Sequence, residues 1–416
     1  VTTSPLDVAT LHKDFPTLQR EVHDGKRLVY LDSGASSQTP RSVLDAMMGY
    51  YERSRSNVHR GVYGLAEEAT DLYEGGRTAV ARLLQADERG VVFTKNATEA
   101  FNLLAYSLVR RRLGPGDALL TTEMEHHANF VPYRYAADDL GFEIRAVPVT
   151  DDGLLDLEAA GRLLEDGRVK VAAFMHVSNV LGTINPVREL ADMTRAANPD
   201  VHVLVDGVQA VPHMPVDVPA LGVDAYVFTG HKMLGPTGIG GLVADPAWLD
   251  DLDPFLAGGD MIREVSLERA TWNDVPHKFE AGTPMIAEAA GLDAAVQYLE
   301  AVGLDSVRAH EQELTGEIIA ALDGIDGVHL YGPRDTALRG SAVSFAVEGV
   351  HPHDVGAMLD QHGVCVRVGH HCAKPLMQAM NVNATVRASS YLYNDTDDIA
   401  PLVEGLQHAI DFFRIR

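Results

Sequence analysis

Residues 203–241, VLVDGVQAVPHMPVDVPALGVDAYVFTGHKMLGPTGIGG, constrain this chain more than any other stretch. Two short runs rich in β-branched and aromatic residues, 201–205 and 225–228, read as buried strands. The first ends in Asp206, and the second in Thr229-Gly230-His231-Lys232. An acid and a lysine therefore follow two buried strands, at the edge where open α/β sheets place ligands.

That pair of charges suits pyridoxal 5′-phosphate. The cofactor needs a lysine for its Schiff base and an acid beside its pyridine nitrogen. Gln209 is placed to hydrogen-bond the ring oxygen. A lone lysine after a strand is ordinarily a surface residue. Here the Gly-Pro-Thr-Gly turn after Lys232 and the Asp-Gly-x-Gln before it strengthen the site reading.

VDGVQA followed by FTGHKMLGPTGIG resembles the fold-type I pyridoxal-phosphate enzymes of the cysteine desulfurase family. Within that family the chain is similar to the sulfur-mobilising, SUF-type branch. The resemblance runs from about residue 11 to 413 with the motifs in family order.

A second strand–turn–helix junction follows Val91–Phe93, at Asn96-Ala97-Thr98-Glu99. Free amides at a helix start suit a phosphate, and an ordinary N-cap is the alternative. The resemblance puts the phosphate cradle here, at Ala97 and Thr98 with Thr229 and His231. Many relatives have Gly-Thr-Thr where this chain has Asn-Ala-Thr, which removes one hydroxyl contact. The strand near 117–121 leads into Glu125-His126-His127, where an imidazole can stack on a planar ring and move protons. The resemblance assigns that role to His126. A metal reading of Glu-His-His fails on spacing, because adjacent residues point apart.

Arg367-Val368-Gly369-His370-His371-Cys372-Ala373 displays one thiol in a polar, glycine-containing turn. Nearby positive charge or a protonated imidazole favours the reactive thiolate. A His-His-Cys metal site lacks a second Cys or His cluster to complete tetrahedral ligation, so no metal is expected. The family motif has Thr where this chain has Val368. The resemblance makes Cys372 the persulfide-carrying nucleophile and Lys232 the base. It sets Arg387 on the substrate carboxylate, with Asn179, Arg367 and His59 among the substrate-binding residues. A bidentate guanidinium suits a carboxylate better than lysine does. By the same resemblance, Thr283 reaches the phosphate of a partner subunit, which implies a homodimer with composite sites.

The implied reaction converts L-cysteine to L-alanine and leaves sulfur on Cys372 for an acceptor in iron–sulfur cluster assembly. His351-Pro-His353-Asp354 resembles relatives that work with a zinc-bearing, scaffold-like acceptor, with His353 as the contact; a plain helix entry is the alternative. The rival activities are selenocysteine lyase and cysteine sulfinate desulfinase on the same fold. A non-catalytic sulfur-transfer scaffold is more remote, given Lys232, Asp206 and Cys372.

The net charge of −25 argues against a nucleic-acid partner, which uses a basic footprint. It suits a solvated acidic surface, and adaptation to high salt is the sharper reading. No long apolar run suggests a membrane span, and the first residues lack the pattern of a secretory signal, so the expected setting is cytoplasmic. Two cysteines in 416 residues do not make a disulfide scaffold. The expected architecture is α/β: a large cofactor domain over 26–295 with a mostly parallel seven-stranded sheet. Residues 1–25 and 296–416 form a smaller α+β domain. In it, one strand is expected over 364–368.

Overall fold

In the computed structural model, which describes residues 5–414, seven strands form the main sheet. They are β1 (Val91–Thr94), β2 (Ala118–Thr122), β3 (Glu143–Val147), β4 (Val169–Met175), β5 (His202–Asp206), β6 (Ala225–Thr229) and β7 (Gly240–Ala244). Their spatial order is β1-β7-β6-β5-β4-β2-β3. Strands β2 to β6 pair in parallel, and β7 runs antiparallel to both its neighbours. The expected mostly parallel, seven-stranded sheet is present.

Strand β5 shows why its run has no polar alternation. Val203 and Val205 belong to one hydrophobic core and Leu204 to another, one on each face of the sheet. A parallel sheet covered on both faces demands such continuous apolar strands. Polar residues can then appear only at the strand ends, and Asp206 and Lys232 do so.

The smaller unit has a four-stranded antiparallel sheet of β8 (Val328–Tyr331), β9 (Ala342–Val347), β10 (Arg367–Gly369) and β11 (Thr385–Ser389), in the order β8-β9-β11-β10. Its own core joins Val343, Phe345 and Val386 to Leu314, Leu359 and Leu406 of the covering helices. The single strand expected over 364–368 is broken. Val364–Cys365 pairs in parallel with Val29–Tyr30, whereas Arg367–Gly369 pairs with β11. The chain changes partner at Val366, which no local pattern announces.

Residues 26–32 lie against this unit through a Lys26 Nζ bond to the Gln361 carbonyl, an Arg27–Asp398 ion pair and an Asp32–Ser389 bridge. Phe15 of the N-terminal arm packs on Tyr298 and Tyr393. The first four residues of that arm and the last two of the chain lie outside the described residues. No described helix is long and apolar enough to cross a membrane.

Candidate active site

A cavity of about 210 Å³ opens beyond the C-terminal ends of β4, β5 and β6. Asp206 is the last residue of β5, and its carboxylate accepts a bond from the Val208 amide at 3.0 Å. Burial pushes its carboxyl up to about 6. Lys232 closes the 3-10 turn after β6 and lines the same cavity. Burial, with Arg387 adding its charge, pushes its ammonium down to about 8. Near neutral pH the pair thus offers an ionised acid and a lysine close to losing its proton. Gln209 lines the cavity too, and its Nε2 donates to the Gly34 carbonyl at 2.7 Å. That bond ties the small-residue loop after residue 31 to the turn after β5.

At another wall a helix begins at Ala97, and Asn96 caps it by accepting from the Glu99 amide at 3.0 Å. The N-cap reading therefore holds at Asn96, and it leaves room for an anion on other groups. Capping occupies Asn96 and leaves the Ala97 and Thr98 amides without intrahelical partners. Both residues line the cavity. Gly240 permits this approach, because a Cβ there would lie 2.9 Å from the Phe228 carbonyl oxygen and 3.0 Å from Asn96 Cα. Thr229 and His231 line the same space, and burial pushes His231 down to about 4.

His126 lines the cavity as a neutral ring, pushed down to about 3 by burial and by Lys232. Its loop is held from below by Glu125, a fully buried carboxyl that accepts from Thr122 Oγ1 (2.8 Å), Asn129 Nδ2 (2.6 Å) and the Met175 amide (2.9 Å). Burial pushes Glu125 up to about 8.

Arg387 rises from β11 into the cavity wall, donating from Nη1 to the Asn179 carbonyl at 2.8 Å and from Nη2 to Asp32 at 2.9 Å. Asn179 Nδ2 in turn donates to the His371 carbonyl at 2.8 Å. Thr229 Oγ1, Asn179 Oδ1 and Arg387 Nε are buried without partners. Buried polar atoms normally have partners, so these atoms mark where a ligand belongs. Pyridoxal phosphate fits them. Thr229 and the two helix amides suit an anion, Asp206 a ring nitrogen and Lys232 an aldehyde. Arg387 Nε, a donor, suits a carboxylate, and Asn179 Oδ1, an acceptor, suits a donor group of the ligand.

The thiol stands on a strained turn. His371 and Cys372 have φ of +50° and +57°, a region L-residues seldom occupy. The turn docks on the His126 loop, where the His127 amide donates to the Cys372 carbonyl at 2.7 Å and the Lys374 amide to His127 Nε2 at 3.1 Å. Arg367 Nη2 lies 4.0 Å from Cys372 Sγ. His371 is buried, its ring bonded to Thr385 Oγ1 at 2.8 Å, and burial with Arg387 and Arg367 pushes it down to about 3. The Arg367 guanidinium is thus a cation beside Sγ, while the His371 ring is turned to Thr385 and neutral. Arg367 and His371 line the cavity; Cys372 itself does not. Val368, the departure from the family motif, packs against the small core and Gly356.

Three expected site residues lie elsewhere in the chain. His59 is exposed, with Nε2 2.7 Å from Glu74, and does not line the cavity. Thr283 is exposed and likewise outside it. His353 is exposed at the start of helix Pro352–Gln361, stacked on His351 at 5.4 Å. From sequence the small-residue loop beginning at Asp32 is expected on the substrate side, and Gly34 and Ala35 of it line the cavity. Asp32 itself, Glu125 and His127 were not among the expected site residues. Asp32 had a legible signal, an acid directly after a strand in a small-residue loop; His127 had none, because its neighbours come from a distant segment.

The sequence matches the family described as aminotransferase class-V over residues 29–402. A probable cysteine desulfurase of Streptomyces coelicolor is 49% identical over 413 residues, 98% of each chain. The apo cysteine desulfurase of Thermococcus onnurineus NA1 superposes with a TM-score of 0.93 at 37% identity, covering 99% of this chain and all of that one. The Escherichia coli cysteine desulfurase CsdA, in an S-sulfonic acid form, gives 0.90 at 34% over 99% and 100% of the two chains.

Proposed function

This chain belongs to the class-V aminotransferase family, and from that premise we propose how its residues act as a pyridoxal-phosphate-dependent cysteine desulfurase. Asp206, Gln209, His126 and Lys232 hold the cofactor's ring, and Thr98, Ala97, Thr229 and His231 its phosphate. Once bound, the cofactor supplies an electron sink that weakens the carbon–sulfur bond of L-cysteine.

Arg387, beside Asn179, orients the substrate carboxylate, and Arg367 guards the route to the thiol. Lys232, near its own pKa of about 8, takes the proton from the substrate's α-carbon at Nζ. Neutral His126 is free to hand a proton onward. The Cys372 thiolate, beside the Arg367 guanidinium, attacks the substrate sulfur. An S–S bond forms as the C–S bond breaks, with its electron pair left on the substrate's β-carbon. That carbon takes up a proton, Lys232 returns one to the α-carbon, and L-alanine leaves. Arg367 carries this reading more than any other residue. It reaches within 4.0 Å of Cys372 Sγ while lining the cavity that contains Lys232.

The reading extends to a homodimer. Met48, Tyr51, Val62 and Tyr63 are large apolar side chains left exposed around the His59 loop, and such patches mark association surfaces. His59 and Thr283, outside the cavity of their own chain, are then available to a partner's site. The persulfide passes to a zinc-bearing, scaffold-like acceptor at His353, for iron–sulfur cluster assembly in a SUF-type system. Two free cysteines suit a reducing, cytoplasmic setting.

The test is alanine and sulfide release from L-cysteine by wild type and Cys372→Ser, with and without reductant. The variant is expected to keep the cofactor's yellow absorbance and to release no alanine. Equal alanine from both proteins would replace the desulfurase reading with a lyase.

A further inference from the structure

Two loops far apart in sequence set three metal-binding side chains together. One ligand atom each of His127, His370 and Cys372 lies within 4.8 Å of the others, and all three residues are partly exposed. The rings of His127 and His370 stand 5.6 Å apart, centroid to centroid. Neither histidine lines the cofactor cavity. The two loops are tied by backbone, because the His127 amide donates to the Cys372 carbonyl. The sequence offered His370, His371 and Cys372 with no second cluster to complete the set. In the structure the His371 ring is bonded to Thr385, and His127 stands with His370 and Cys372 instead.

We propose that His127, His370 and Cys372 form a binding site for one thiophilic divalent cation of the zinc type, which caps the Cys372 sulfur. Thiolate and imidazole are zinc's preferred ligands, and three protein ligands leave the fourth tetrahedral position to water. On binding, the metal–sulfur bond forms as the thiol proton leaves to solvent. His370 Nδ1 accepts from the Cys372 amide at 3.1 Å and His127 Nε2 from the Lys374 amide, so each ring proton sits on the opposite nitrogen. Ligation through an engaged nitrogen displaces the amide. Ligation through the opposite one shifts the ring proton across. Either way each ring exchanges one amide bond for one metal bond, with no oxidant or reductant. The site stands on geometry alone; its consequence, a silenced sulfur carrier, rests on the role proposed for Cys372.

The experiment uses the full chain loaded with pyridoxal phosphate, zinc chloride and no substrate, with alkylation of Cys372 and Cys365 followed by mass spectrometry. Zinc is expected to slow alkylation of Cys372 by at least roughly tenfold, reversibly with a chelator. Cys365, outside the cluster, serves as the internal control and should not respond. His127→Ala and His370→Ala should each lose that protection, and His127→Gln serves as the milder change. Unchanged alkylation of wild-type Cys372 overturns the proposal, and so does protection that survives in both histidine variants. If the variants lose their yellow absorbance, the wild-type result decides alone. Zinc protection in a protein that releases alanine without Cys372 would retain the metal site and remove the desulfurase reading.

Discussion

Arg387 donates to Asp32 at 2.9 Å from a side chain only 2% exposed, which ties strand β11 of the small sheet to the loop that follows Tyr30. The pair fixes one edge of the guanidinium before any substrate arrives. Asp32→Ala removes that constraint and leaves a buried cation unpaired. Because Asp32 is itself 23% exposed, the expected stability loss is about 2 kcal/mol, below the range for fully buried pairs. KM for L-cysteine should rise roughly tenfold, with a smaller change in kcat. Steady-state kinetics decide it, and an unchanged KM would show that Asp32 does not orient Arg387.

Glu125 carries a pH signature. Its carboxyl is raised from 4.5 to about 8 in the folded chain, so the folded state binds the proton more tightly than the unfolded one. That contribution to stability is full below the unfolded value and is lost as pH rises through the folded one. Neutral histidines such as His126 and His176, pushed down to about 3 and about 4, act in the opposite direction. The difference between wild type and Glu125→Gln isolates the carboxyl. Denaturant unfolding at about pH 5 and about pH 8 should show wild type losing stability relative to the variant. A constant difference would mean that Glu125 titrates normally.

Arg77 and Glu280 form a bidentate pair at 2.8 Å, 3% and 6% exposed, and Glu280 also accepts from the Phe93 amide and the Tyr73 hydroxyl. This network anchors the segment that carries Thr283. Glu280→Ala leaves the buried guanidinium with Glu74, at 2.7 Å, as its remaining anion. It should cost about 3 kcal/mol, the low end for a broken buried pair, read as a lower urea midpoint. A loss below about 1 kcal/mol would mean that water replaces the carboxylate.

His353→Ala tests the acceptor contact. The ratio of acceptor-stimulated to basal alanine release should fall by roughly tenfold if this imidazole captures the acceptor's zinc. An undiminished ratio would return His353 to an ordinary helix entry.

Much of this site is written in local sequence. Asp206 and Lys232 stand at strand ends because apolar runs buried on both faces leave no other place for charge. The turn at Asn96 reads as a helix start from its own residues, and the helix does begin there. Run length, periodicity and turn chemistry depend only on near neighbours, so these features were visible in one dimension.

Other features depend on how the two units meet. The Arg387–Asp32 pair spans 355 positions, and the Lys374–His127 bond that helps join the thiol turn to its neighbouring loop spans 247. No residue pattern near either end encodes such a partner. The strand break at Val366 and the placement of His59 and Thr283 outside their own cavity are of the same kind. Strand order and the docking of one sheet against another settle them, because packing selects which distant side chains share a dry space.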